Sequence, residues 1–370
     1  MNPVILRARP TLLKIHRWVG VCLGFMIILQ GLTGSVTAFR HELNRLVHAS
    51  ALVVAPNRPA APVQAVIKSL KAAVPGARLT RLDYPTRPDE AYFARLEGKG
   101  GVVLATVDPS TAQVLRQGGF WAWPVELIYQ LHYTLVAGEI GERVVGLTGL
   151  AILFMAVTGP LVWWPGTRGL KRAFKVETGV NAYRTTRDLH RLLGICIALV
   201  LGVIAFTGIN MAWRPWLQPL VSAVAPMHPG PKVKPPKGDC RKPLPLDQVV
   251  AAAQARESGE AVRSLRYQGK TSRTLNVLLH ARLTRPRATD QVMVDTCTAQ
   301  VLSVREAAKA SGGDAFYDWL LPIHSGEWLN TPGRVLDELA ALSLIGLGGT
   351  GYWLWATRSA KMHKTRKARG

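Results

Sequence analysis

The chain of 370 residues carries 46 Lys and Arg against 23 Asp and Glu, a formal charge of +23, yet 48% of it is hydrophobic and only 19% is charged. That apolar content excludes a disordered basic tail or a histone-like chain. No recognisable nucleic-acid-binding motif accompanies the charge, so nucleic acid is not an expected partner. The surplus reads as membrane topology and attraction to the lipid bilayer.

In chain order, Arg7, Arg9, Lys14 and Arg17 lead into an uncharged window of 22 residues that ends at Arg40. Three more such windows follow: 24 residues between Arg143 and Arg168, 22 between Arg191 and Arg214, and 19 between Glu338 and Arg358. At about 1.5 Å per residue each is long enough to cross a hydrocarbon core roughly 30 Å thick. The first window is too long for the apolar core of a cleaved signal and ends in Phe39, Arg40, His41 and Glu42, so it is expected to remain as a span. Basic residues crowd the N-terminal segment, the short 168–187 loop and the 358–369 tail, which places both termini in the cytoplasm by the positive-inside rule.

The expected organisation is therefore span 1 within 1–40, an external domain at 41–142, spans 2 and 3 with their basic loop at 143–213, a second external domain at 214–333, and span 4 with the tail at 334–370. Periodicity predicts a helix over 62–73 and strands over 91–96 and 101–107 in the first domain. The second repeats the order, with a helix over 246–256 and strands over 262–267, 274–280 and 291–294. A Pro-rich stretch from Pro226 to Pro245 reads as an extended tether. The fold class is an all-α four-helix membrane bundle with two α+β external domains.

Self-similarity runs through the chain. Val107–Leu115 (VDPSTAQVL) matches Val294–Leu302 (VDTCTAQVL). A shift of 174 residues lays His16, Arg17, Gly20, Cys22, Thr33, Gly34 and Arg40 on His190, Arg191, Gly194, Cys196, Thr207, Gly208 and Arg214. A shift of 192 lays His132, Thr158, Gly159 and Trp163 on His324, Thr350, Gly351 and Trp355. The chain thus reads as a duplicated unit of span, domain and span, with a pseudo-twofold axis along the membrane normal.

That axis brings His16 toward His190 near the inner face and His132 toward His324 near the outer face. Two facing imidazoles are what a low-spin haem iron requires, and bundle interiors commonly hold such groups. The expected cofactors are two haems on these pairs. His41 is a reserve ligand for the outer one, although it and His48 have no histidine mate and read as surface residues, as do His228, His280 and His363. No span contains an acidic residue, which argues against a zinc or di-iron carboxylate site. Gly346–Gly351 fits a dinucleotide fingerprint but lies within span 4 and follows no strand, so its glycines read as close-approach residues. Trp18, Trp163, Trp164, Trp213, Trp353 and Trp355 suit an aromatic belt; Trp121, Trp123, Trp319 and Trp328 flank the outer histidines and suit a docking surface. Arg116, Arg143 and Arg334 are external basic groups that would steer an anionic ligand.

Of the four cysteines, Cys22 and Cys196 fall in spans, while Cys240 and Cys297 share one external domain. A disulfide between the latter two is expected, stabilising by roughly 3–4 kcal/mol.

His-Arg-Trp-Val-Gly at 16–20, Leu-His-Arg-Leu-Leu-Gly at 189–194 and the Val-Asp-x-x-Thr-Ala-Gln-Val-Leu ends of the external domains resemble the PepSY-associated transmembrane helix family. Leu131-His132 and Ile323-His324-Ser325-Gly326-Glu327-Trp328 are similar to the segments preceding its even-numbered spans. The resemblance implies a bacterial inner-membrane protein like the ferrioxamine-type (FoxB-like) siderophore reductases. Such a protein would carry b-type haems, take electrons from a cytoplasmic donor and reduce a ferric siderophore in the periplasm. A siderophore or haem transporter, or a PepSY-type binding or regulatory protein, is the alternative.

Overall fold

The computed structural model describes residues 3–179, 181–227, 240, 243–257, 259–267, 273–281, 283, 285–310 and 312–367. In chain order the helices are α1 (Pro3–Ala38), α2 (Arg40–Val47), α3 (Ala49–Leu52), α4 (Val63–Ala73), α5 (Pro124–Thr134), α6 (Gly138–Trp163), α7 (Leu170–Ala173), α8 (Ala182–Ala212), α9 (Arg214–Val224), α10 (Leu246–Arg256), α11 (Gly312–His324) and α12 (Asn330–Lys367). The strands are β1 (Arg78–Asp83), β2 (Tyr92–Gly98), β3 (Gly101–Val107), β4 (Val114–Gly118), β5 (Val262–Tyr267), β6 (Thr274–His280), β7 (Thr289–Asp295) and β8 (Val301–Arg305). They divide into a helical unit (1–39, 128–221 and 319–370) and a sheet unit (40–127 and 222–318).

Four helices of the first unit are long and apolar enough to cross a membrane: Arg7–Ala38, Gly138–Trp163, Ala182–Ala212 and Glu327–Ser359. α1 packs between α6 and α12, and α8 packs between the same two, so α1 and α8 face each other along a diagonal. Ile27, Ile152, Ile197, Leu201, Ala205 and Ala340 fill the centre. Glycine sets the closest approaches, since a Cβ on Gly31 would lie 2.7 Å from the Ala341 carbonyl oxygen. The fingerprint-like glycines of α12 serve the same end: Gly346 faces Leu193 and Gly348 faces Ile28. Helix ends are capped by arginine. Arg9 donates from Nε and Nη2 to the Val162 carbonyl at 3.0 and 2.7 Å, and Arg334 does the same for Ala38 at 3.2 and 2.7 Å, each charge sitting at a helix C-terminus. Cys22 and Cys196 are free thiols on the outside of the bundle.

Aromatic-belt positions need two corrections. Trp163 is buried, in edge contact with Trp164 and Phe174. Trp213 covers Gly146 and donates from Nε1 to the Arg143 carbonyl at 3.2 Å, so both are packing residues.

In the second unit the eight strands form one antiparallel sheet in the order β4-β3-β2-β1-β5-β6-β7-β8. This revises the expectation of two separate domains. β1 pairs with β5, Leu82 opposite Leu265, and the two four-stranded halves become continuous. α4 and α10 contribute to a single core with Leu70, Leu82, Val249, Leu265 and Val277 at its centre. Their N-termini cap one another: Asp247 accepts from the Val63 and Gln64 amides at 2.8 and 3.1 Å, and Gln64 Oε1 accepts from the Leu246 amide at 3.0 Å.

The repeated VDxxTAQVL segments form matching turns. Asp108 and Asp295 each accept from the amide two residues on, at 2.7 and 3.0 Å, and Ala112 and Ala299 take positive φ of 56° and 55°. Cys240 and Cys297 are disulfide-bonded with Cα atoms 6.0 Å apart, inside the range such bonds span. Most of the Pro226–Pro245 stretch, His228 included, lies outside the described residues.

The domain boundaries also move. α5 and α11, assigned from the sequence to the external domains at 41–142 and 214–333, are divided between the two units, and their histidine-bearing ends, 128–134 and 319–324, fall in the helical unit. There His132 and His324 find threonine partners on the spans.

Candidate functional site: four histidines on threonine–glycine steps

Each of the four singled-out histidines meets a Thr-Gly step on another helix. His16 Nδ1 lies 2.9 Å from Thr158 Oγ1, and His190 Nδ1 lies 2.8 Å from Thr350 Oγ1. His132 Nδ1 lies 3.0 Å from Thr33 Oγ1, and His324 Nδ1 lies 3.1 Å from Thr207 Oγ1. In every case the threonine hydroxyl donates to the carbonyl four residues earlier in its own helix, at 2.7 Å for Thr33, 2.8 Å for Thr158, 2.9 Å for Thr207 and 2.6 Å for Thr350. Its proton being so engaged, the oxygen accepts from Nδ1–H. His324 Nδ1 also donates to the Ile204 carbonyl at 2.9 Å, which fixes the same tautomer independently.

The consequence is a lone pair on each Nε2. Among the described residues none forms a hydrogen bond with any of these four nitrogens. A neutral imidazole whose Nδ1–H is held by an oxygen and whose Nε2 is open is the usual form of a metal-ligating histidine.

The glycine of each step clears the space beside the ring. A Cβ on Gly34 or Gly208 would lie 3.3 or 3.0 Å from Cε1 of His132 or His324, and one on Gly159 or Gly351 would lie 3.7 or 3.6 Å from Cε1 of His16 or His190. The structure brings the two outer histidines close together. His132 and His324 have ring centroids 6.3 Å apart. Two metal–imidazole bonds of about 2.0–2.1 Å, each extended by the roughly 1.1 Å from nitrogen to ring centre, span about 6.3 Å, so this spacing fits one ion held between both rings. His16 and His190 lie on α1 and α8, which face each other along the diagonal of the bundle. Clusters of three or more His, Cys, Asp or Glu that could hold a metal ion are absent among the described residues, so an ion between His132 and His324 would have two protein ligands, both imidazoles. From Thr33 to His16 along α1 is 17 residues, which places the two pairs about 25 Å apart.

Other candidates do not join these sites. His41 falls in the sheet unit, where its charged neighbours are Arg40, Arg287, Glu90 and Glu42. His48, expected at the surface, is buried edge-on against Trp123 at 4.9 Å between centroids. His280 is exposed at the end of β6. Of the proposed docking tryptophans, Trp121 is 86% exposed, and Trp319 and Trp328 are also exposed. Trp123 is 0% exposed, sealed in a cluster with Ala51, Leu52 and Leu104, and is withdrawn from any docking role. The three expected steering arginines have structural contacts: Arg116 covers the Trp123 ring, Arg143 the Trp216 ring and Arg334 the Phe39 ring.

The sequence reading placed the four threonines and glycines in the repeats without seeing their task. A signal was present, because Thr-Gly steps recur at matched positions, Thr33 with Thr207 and Thr158 with Thr350.

The fold defines a helical membrane protein with four candidate spans, four histidines on Thr-Gly steps and an antiparallel sheet unit. The chain belongs to the PepSY-associated TM region family, whose signature matches residues 13–368. A comparison with curated proteins finds no match.

Proposed function

We propose that this protein is a di-haem reductase of the bacterial inner membrane, passing electrons from a cytoplasmic donor to a ferric siderophore in the periplasm. The observation that carries the reading is the His–Thr–Gly arrangement, made four times from four different pairs of elements. His16 and His190 would hold one b-type haem, and His132 and His324 the other. A haem bound between two imidazoles supplies reversible one-electron exchange at iron.

The chain's own residues do the rest. The threonines fix ring orientation and raise Nε2 basicity through Nδ1–H, the glycines leave room for a flat group, and the apolar helices keep water and free charge from the interior. The matched contacts in the two halves support a duplicated architecture with its axis along the membrane normal. Basic residues at 7–17, 168–187 and 358–369 support cytoplasmic termini and periplasmic placement of the sheet unit. Ferric ion is held tightly by oxygen donors, and gaining one electron lowers its charge density and loosens the chelate. Outward electron movement is favoured by an inside-negative potential, at about 2.3 kcal/mol per charge per 100 mV.

A transporter would be expected to have a broken, polar span at mid-membrane, whereas α1, α6, α8 and α12 are continuous. A binding or regulatory role leaves the four open Nε2 atoms unexplained. The test is a reduced-minus-oxidised spectrum of the purified protein, expected to show low-spin b-type haem at two per chain. Addition of a ferric siderophore to the dithionite-reduced protein, freed of excess reductant, should then reoxidise it and release ferrous iron. Protein isolated from haem-replete cells without haem would end the proposal.

A further inference from the structure

The face of the sheet opposite α4 and α10 carries an arrangement that strand pairing alone disfavours. Leu82, Leu96 and Leu265 point into the core, so Arg81, Arg95 and Arg266, their immediate neighbours, lie on the other face. The register sets Arg81 directly opposite Arg95 on one side and directly opposite Arg266 on the other. Three guanidiniums therefore run in one cross-strand row over β2, β1 and β5, where like charges facing each other are destabilising.

The register shift between Leu79 and Arg81 adds Arg78, beside Glu97, to the same face. Among the described residues, carboxylates beside the row include Asp83, 2.7 Å from Arg81, and Glu97, 3.3 Å from Arg78 and 3.8 Å from Arg95. Four arginines stand with these two acids on the described part of the face, which is arginine-rich. One end of the row is aromatic, because the Arg95 guanidinium lies 5.9 Å from the Phe120 ring centre and the next residue is the exposed Trp121.

We infer that this row is the binding face for an anionic ferric chelate with aromatic donor groups, a tris-catecholate complex in preference to a tris-hydroxamate. Three dianionic catecholates around a trivalent ion leave a trianion with flat rings at its surface; three singly charged hydroxamates leave a neutral, non-aromatic complex. The planar guanidiniums complement the first through charge, bidentate hydrogen bonds and ring stacking, and offer the second little. The inference rests on the siderophore reading for the kind of ligand, but the residues involved all lie in the sheet unit and the binding needs no electron.

The test uses the full-length protein in nanodiscs and the gallium complexes, which match ferric ones in charge and shape but are not reduced. Equilibrium dialysis should show the gallium tris-catecholate bound, with affinity falling as salt rises. Arg81→Gln and Arg266→Gln should each weaken it about tenfold to a hundredfold, Arg81→Lys, which keeps the charge but not the planar fork, should weaken it less, and haem content should stay at the wild-type level in all three. Equal binding of the gallium tris-hydroxamate, or unchanged tris-catecholate binding in both Gln variants, overturns the inference. So does loss of co-purifying anionic lipid in the Gln variants without binding of the gallium complex, which would give the face to headgroups. A protein that binds gallium tris-catecholate but carries no haem would keep the binding face and refute the reductase.

Discussion

The two histidine pairs share one chemistry and differ in what carries it. In the inner pair the spans do everything: α1 and α8 supply His16 and His190, and α6 and α12 supply the Thr-Gly steps. In the outer pair the roles rotate, since α1 and α8 now supply Thr33-Gly34 and Thr207-Gly208 while the histidines come from α5 and α11, which precede the even-numbered spans. Those short helices hang on tight turns. Leu135 and Val136 take positive φ of 51° and 56° between α5 and α6, and Gly326 and Asn330 take 69° and 54° between α11 and α12. A β-branched residue in that region is strained. The inner site is therefore as rigid as the bundle, whereas the outer site depends on two corners that can fail separately.

The largest effects test whether the pairs are independent. His16→Ala or His190→Ala should remove one haem and spare the other, and His132→Ala or His324→Ala should do the reverse, read as haem-to-protein ratio. Full haem content in the His16 and His190 variants would dissolve the inner assignment. Next come the corners. A side chain at Gly141 would collide with the Thr134 carbonyl oxygen and one at Gly333 with the Gly326 carbonyl oxygen. Gly141→Ala and Gly333→Ala should each cost about 1–3 kcal/mol and deplete the outer haem while leaving the inner spectrum intact. Equal loss from both pairs would erase the distinction.

A finer contrast uses the step glycines. The added methyl of Gly208→Ala would sit 3.0 Å from His324, whereas those of Gly159→Ala and Gly351→Ala would sit 3.7 and 3.6 Å from their rings. The first should shift the spectrum of its haem and the other two should not. The smallest effect on haem should follow loss of the Cys240–Cys297 disulfide, which closes a loop across 57 residues in the sheet unit. Cys297→Ser should lower that unit's stability by roughly 4 kcal/mol with both haems retained, measured by thermal melting beside the haem spectrum.

Much of this was legible in the chain because the membrane makes a coarse demand. Uncharged windows of 19 to 24 residues located four helices, and the shift of 174 singled out His16 and His190, which make matching contacts with Thr158 and Thr350. Finer features failed for definable reasons. β1 was missed because the irregularity between Leu79 and Arg81 puts two core leucines three residues apart and breaks the period of two. The threonine partners were hidden because a contact such as His16 to Thr158 spans 142 positions and crosses helices. Trp123 was misassigned because an aromatic residue reads alike whether it lines a surface or fills a core.

The seam between β1 and β5 also has a history in time. Leu82 and its partner Leu265 are about 180 residues apart, and α6 and α8 both lie between them. At about 5–20 residues per second of synthesis, β1 stands as an open edge for on the order of 10–40 s before its partner emerges. An unpaired edge of that lifetime invites association with other nascent chains, and charged side chains are the usual guard against it. Arg78, Arg81 and Asp83 stand on that edge, so the charges that crowd the finished sheet also keep its first half single until the second arrives.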